Sequence, residues 1–107
     1  MTLTEEAKAK LKAEFGDNIA VQMIGGEPVV VRPPTRMEWH RYRQERATKG
    51  LAAEITVREN FVAGCILQPK GPAIEAMYEK YPTSIEELFG LVTELGSGSE
   101  TAAAKKL

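Results

Sequence analysis

Histidine and cysteine are nearly missing from this chain: among 107 residues there is one of each, His40 and Cys65. A single thiol rules out an internal disulfide, and with it the stapled architecture of small secreted domains. A zinc site needs about four Cys, His or carboxylate ligands at suitable spacing, and here the only two soft ligands fall on different predicted helices. A Cys–His nucleophilic pair is geometrically conceivable. Against it, Cys65 lies in an apolar stripe, where free cysteine ordinarily packs, and His40 reads as a surface imidazole. No Gly-x-Gly-x-x-Gly or Walker spacing occurs, and Gly25-Gly26 precedes a strand pattern rather than a helix. The carboxylate pairs Glu5-Glu6 and Glu86-Glu87 fall in predicted first helical turns, where they meet the helix dipole favourably.

Long apolar runs are missing too. None approaches the roughly 18 to 20 residues that cross a bilayer. The start, Met1-Thr2-Leu3-Thr4-Glu5-Glu6, lacks the basic residues and apolar run of a signal peptide. No sign of charge dominates, the formal net charge being −1, so global charge points neither to nucleic acid nor to a membrane. These absences predict a non-enzymatic protein without metal or cofactor in a reducing, cytoplasmic setting.

What is present suffices for one domain. The chain is 43% hydrophobic, enough to bury a modest core. A helix is predicted over 3–15, with Thr2 and Glu5 at capping-box spacing and a narrow stripe of Leu3, Ala7, Leu11 and Phe15; Gly16-Asp17-Asn18 ends it. Residues 19–24 and 28–32 read as two short strands joined by Gly25-Gly26-Glu27, with Pro28 restricted to a strand start or an edge. Arg32-Pro33-Pro34 is a stiff connector, after which Thr35 caps a helix over 36–48 with Glu38 at the reciprocal position.

Lys49-Gly50 breaks that helix, and a longer one is predicted over 51–67. Leu51, Ile55, Val62, Cys65 and Ile66 share one side, and Val57 and Phe61 add a second stripe. Pro72 restarts a short helix over 73–81 that aligns Ile74, Met77, Tyr78 and Tyr81. Thr83 with Glu86 caps a last helix over 84–95, whose residues Ile85, Leu88, Phe89, Val92 and Leu95 give the cleanest amphipathic pattern. The predicted fold class is therefore α+β and predominantly α-helical, a short β-hairpin followed by a small helical bundle. Residues 1–18 form an N-terminal helix, 19–96 a core domain of hairpin plus four helices, and 97–107 a flexible tail.

One local charge feature stands out. Residues 32–49 hold six basic residues against two acidic, a net of +4, offset by −2 over 1–31 and −3 over 50–107. On a helix, Arg36, His40 and Arg43 line one face, and Trp39, Tyr42 and Arg46 an adjoining one. Three readings stay open. The aromatics close the core while the arginines pair with acidic neighbours. The patch is a protein interface, where these residue types are enriched. Or it binds nucleic acid through phosphate contacts and stacking, although no recognised recognition-helix or zinc-finger motif accompanies it.

The order of parts also resembles a family. A hairpin ends in Val29-Val30-Val31-Arg32-Pro33-Pro34-Thr35-Arg36-Met37-Glu38-Trp39, followed by a basic aromatic helix. Another helix closes in Val62-Ala63-Gly64-Cys65-Ile66-Leu67-Gln68-Pro69, a further one ends at Tyr81-Pro82, and an amphipathic helix closes in Leu95-Gly96. Over about residues 19–96 this layout resembles tail assembly chaperones of long-tailed bacteriophages and of prophage-derived tail-like particles. The N-terminal helix lies outside the likeness.

The resemblance implies a protein that binds the tape-measure protein during tail morphogenesis, keeps it soluble and helps recruit tail tube subunits. It would work in the cytoplasm of the bacterial host and be absent from the mature virion. Tape-measure and tube proteins are the implied partners, with self-association a further property. The string Ala104-Lys105-Lys106 is one that a slippery run of adenines could encode, as in the frameshifted longer products of that family. Composition and helical face single out Trp39, Tyr42, Met77 and Tyr78 as partner contacts, with Arg36 and Arg43 at the rim. The alternatives are a small nucleic-acid-binding regulator using the helix 36–48, and another virion structural or connector protein.

Overall fold

The computed structural model describes residues 3–98 and 105–107. It is an α+β fold, mainly helical, with five helices and a small antiparallel sheet among those residues. The first helix, α1 (Glu5–Phe15), starts at Thr4, whose Oγ1 accepts the Ala7 N–H at 3.1 Å. The cap is thus two residues later than the spacing of Thr2 and Glu5 predicts; Thr2 itself lies outside the described residues, and Leu3 sits ahead of the helix. Gly16, at φ 88°, ends α1 by donating its N–H to the Lys12 carbonyl at 2.9 Å.

Strands β1 (Ala20–Ile24) and β2 (Glu27–Val31) pair antiparallel from Ala20 opposite Val31 to Ile24 opposite Glu27. Glu27 therefore belongs to the strand, and the turn is Gly25-Gly26 alone. Both glycines have positive φ (58° and 81°), the combination that a two-residue type I′ turn demands. Glycine is needed at position 25 for a second reason: a Cβ there would overlap the Tyr81 ring.

The segment after β2 is held by its own side chains. Thr35 and Glu38 form both halves of the capping box that opens α2 (Arg36–Lys49). Glu38 N–H donates to Thr35 Oγ1 at 3.1 Å, and Thr35 N–H to Glu38 Oε1 at 2.8 Å.

The single long helix predicted over 51–67 is instead three elements. A 3-10 turn (Leu51–Ala53) leads into α3 (Glu54–Cys65), and Ile66–Gln68 form a third strand, β3. Pro69 disfavours helical backbone at Gln68, and the open side of β2 offers the freed groups a ladder. Val31 pairs with Ile66 and Val30 with Gln68, a register shift that leaves Leu67 as the extra residue of a bulge. β2 is thus the central strand. β3 stops at Val30, so Pro28 has no β3 residue paired with it, which is how a proline is tolerated there.

The buried side of α3 also differs from the stripe that begins at Leu51. Leu51 is 87% exposed and Ile55 70%, whereas Val57, Phe61, Val62 and Cys65 are buried. Leu51 belongs to the 3-10 turn that follows Gly50 (φ 76°), and Ile55 to the first turn of α3, whose buried residues begin at Val57.

Pro72 opens α4 (Pro72–Lys80), which buries Ile74 and Tyr78. In α5 (Ser84–Ser97), Ile85, Leu88, Leu91, Val92 and Leu95 are buried. The expected Thr83 side-chain cap does not form, because Thr83 already has near-helical backbone. Glu86 donates its N–H to the Thr83 carbonyl at 3.1 Å, and its carboxylate pairs with Arg58 at 2.8 Å.

The main core lies between one face of the sheet and α2 to α5. A second cluster on the sheet consists of Ile19, Val30 and Leu67, with Leu3, Leu11, Val21 and Leu107 packed against it. The tail predicted to be flexible from residue 97 is described only in part. Ser97 completes α5 and Gly98 closes it in left-handed conformation, while 99–104 lie outside the described residues. Residues 105–107 return to β1: Lys106 bridges Ala20, Leu107 N–H donates to the Ile19 carbonyl at 3.2 Å, and Lys105 reaches Gln22.

Candidate functional site

The six residues singled out from the sequence fall in four places. Tyr42, 3% exposed, is a core residue, as is Tyr78 at 7%. Tyr42 stacks on Phe61 with ring centroids 4.6 Å apart, and Trp39 lies 5.5 Å from Tyr42 and 5.7 Å from Phe61. Phe89 closes this cluster at 5.6 Å from Tyr42, and the Arg58 guanidinium sits 4.7 Å above the Phe89 ring. Both tyrosines are thereby placed in the core rather than on an exposed helix face. The reason is geometric: an amphipathic helix must send some aromatic inward, and spacing alone does not say which of two adjoining positions goes deeper.

Burial leaves its mark on the titratable groups. The Tyr78 hydroxyl is pushed up to about 12 by burial, reinforced by Glu59 and Glu75 nearby. Arg58 is held protonated first by the Tyr42 hydroxyl, although that oxygen makes no hydrogen bond of full geometry, and further by Glu86. Cys65 is fully buried, and desolvation pushes its thiol up to about 11. A thiol so protected stays protonated at neutral pH, a poor state for a nucleophile. His40 is exposed on α2. Among the described residues no group of three or more His, Cys, Asp or Glu could hold a metal ion, and no helix is long and apolar enough to cross a membrane.

Trp39 and Arg36 do line a concave surface. It is a cleft of about 540 Å³ where the start of α2 meets the end of α5, walled by Pro34, Trp39, Thr93 and Gly96. Trp39 is half-buried, with one part in the aromatic cluster and another open to the cleft, and Arg36 stands exposed at the rim. It is the connector before α2 that packs tightly on α5. A Cβ on Gly96 would come within 3.1 Å of Pro34, tighter than ordinary contact, so glycine lets α5 end against the proline.

Met77 faces a different groove, about 450 Å³, between the hairpin and α4, which it shares with Pro28, Pro69, Ala73 and Tyr81. Arg43 is exposed and lines neither surface. Sequence reasoning missed Pro34, Thr93 and Gly96. The proline pair was legible as a stiff connector, but which helix end it would meet is set by the tertiary fold.

The positive charge of α2 is only partly neutralised. Arg46 pairs with Glu54 at 3.4 Å and Lys49 with Glu45 at 3.7 Å. Arg36, Arg41 and Arg43 make no ion pair among the described residues. Arg32 behaves differently: it is committed to Glu38 through two bonds, at 2.8 and 3.0 Å, and to the Gly64 carbonyl at 2.7 Å. No protein-family model, no curated protein and no solved structure matches this chain.

Proposed function

We propose that this protein is an assembly chaperone that binds another protein, acting in tail morphogenesis of a long-tailed bacteriophage or of a related tail-like particle. It holds the helical tape-measure protein in soluble form, is displaced as tube subunits assemble, and is absent from the finished particle. The observation that carries the protein-binding part is the cleft of Pro34, Trp39, Thr93 and Gly96: a mainly apolar hollow, open to solvent, with a half-exposed tryptophan in its wall and an arginine at its rim that makes no ion pair among the described residues. Tryptophan and arginine are among the residues enriched where interface energy concentrates, and an apolar groove accepts the apolar face of an amphipathic helix. The phage assignment rests on the resemblance of residues 19–96 to that family.

Co-expression with a tape-measure protein tests the reading. The partner moves into the soluble fraction with the native chain, and does so poorly with Thr93→Arg, which fills the cleft from a half-buried surface position. Unchanged partner solubility with the native chain contradicts it.

A second reading is favoured by one observation, the three arginines of α2 without ion pairs among the described residues: a nucleic-acid contact along that helix. Duplex binding followed across salt decides it, since affinity driven by phosphate contacts falls steeply as salt rises. Absence of binding at low salt removes this reading.

A further inference from the structure

The face of the sheet that carries the second cluster is covered in an unusual way. Ile19 and Val30 are fully buried there beside Leu67, yet the residues that shield them, Leu3, Leu11, Val21 and Leu107, are each only partly buried. The arm formed by Leu3 and α1 supplies two of the four, and α1 itself has no buried residue. Nor does the arm fill the face: a slot of about 190 Å³ remains between Leu3 and Lys8 on one side and Val21, Met23 and Pro28 on the other, with Met23 47% exposed.

α1 keeps its helical form by local means. It has the Thr4 cap, a 3.4 Å pair between Lys8 and Glu5, and its own terminating bond at Gly16. Only Gly16-Asp17-Asn18 and Ile19 connect it to β1, with Gly16 at a positive φ (88°) that glycine adopts without steric cost. The main core, by contrast, is closed by α2 to α5 on the other side of the sheet and contains no residue of the arm.

From this we infer that α1 is a displaceable latch, and that the sheet face beneath it is a docking site for an amphipathic helix of the partner that presents leucine-type residues as this arm does, one within the helix like Leu11 and one just ahead of it like Leu3. The occupant is set by what is seated there: a capped helix with Glu6, Lys10 and Glu14 exposed, resting by Leu11, and by Leu3 just ahead of its cap, on an apolar sheet. The inference builds on the protein-binding reading above, and gives a long helical partner a second contact surface beside the Trp39 cleft. A partner helix competes with α1 for one surface, so the affinity seen is reduced by the fraction of chains in which the latch is closed.

The test uses the full chain carrying Leu3→Asp and Leu11→Asp, and as probe a fluorescein-labelled synthetic peptide with the sequence of residues 3–16, followed by fluorescence anisotropy. The doubly substituted chain binds the peptide with a Kd lower than that of the native chain by about tenfold or more. Adding Val21→Asp, on the proposed surface, removes the gain. Equal affinity of native and substituted chains overturns the latch, and so does binding that Val21→Asp leaves intact.

Should the double variant lose its helical circular dichroism, amide hydrogen exchange of the native chain decides. Exchange in α1 faster than in α5 by about a hundredfold or more supports the latch, and equal protection overturns it. A native chain whose mass doubles with concentration while α1 exchanges between copies makes a second copy the occupant and overturns the partner assignment. No tape-measure protein enters this assay. Its failure therefore removes the latch alone, and failed co-expression with successful peptide capture removes the identity of the partner alone.

Discussion

Arg32 reaches three parts of the chain at once. Its guanidinium grips both oxygens of Glu38 at the start of α2, donates to the Gly64 carbonyl near the end of α3, and bonds the Pro33 carbonyl in the connector. A planar fork meeting a carboxylate in this bidentate way is a geometry that lysine cannot reproduce. The Arg32 bond lowers the Glu38 carboxyl to about 2, and the Thr35 backbone N–H adds to the effect. Glu38 is therefore more acidic folded than unfolded, so its contribution is complete above its ordinary value of about 4.5 and is lost as pH falls from there towards 2.

The pair is about one-third exposed, so solvent screening reduces its worth, and Glu38→Gln is expected to cost about 1–2 kcal/mol at neutral pH. Urea denaturation of both chains checks this: their stabilities converge as pH drops below about 4 and differ at pH 7. The same joint gives the Arg-Pro-Pro-Thr-Arg-Met-Glu string a structural reason of its own, as the corner that positions the Trp39 cleft. Cys65 lies next to it in the fold, accepting the Arg32 N–H at its carbonyl at 2.9 Å. Its buried, protonated thiol should resist iodoacetamide in the native chain and react on unfolding; rapid alkylation of the folded protein contradicts that placement.

At the scale of elements, the chain separates what periodicity reveals from what only neighbours decide. The hairpin was legible because two glycines in sequence satisfy a turn few other residues can make, and α5 because its apolar residues recur on one side for nearly four turns. β3 was not, since three residues carry no period and Ile66 continues the apolar pattern of α3; the ladder to Val30 and Val31 defines it. Depth was equally hidden at Trp39 and Tyr42, adjoining aromatics of which one lines a cleft and the other fills the core. The split of the long predicted helix has a direct consequence. Leu51→Ala and Ile55→Ala should change stability by no more than about 0.5 kcal/mol, as exposed positions do, while Leu88→Ala costs about 2–5 kcal/mol. A cost of several kcal/mol at Leu51 or Ile55 would return those residues to the core.

The whole molecule is a small sheet with one face sealed by four helices and the other shielded by single residues from both described ends of the chain. On the reading proposed above, that asymmetry separates a stable body from a surface that changes occupants, as a protein that holds its partner only until another replaces it requires. Trp39 is the sole tryptophan and stands in the wall of the proposed docking cleft, so it reports on occupancy. Titration of the native chain with a tryptophan-free helical segment of a tape-measure protein, read by Trp39 emission, is the most direct measurement. A saturable shift in emission that Thr93→Arg abolishes is the predicted result, and an emission spectrum unchanged at saturating segment would contradict the account.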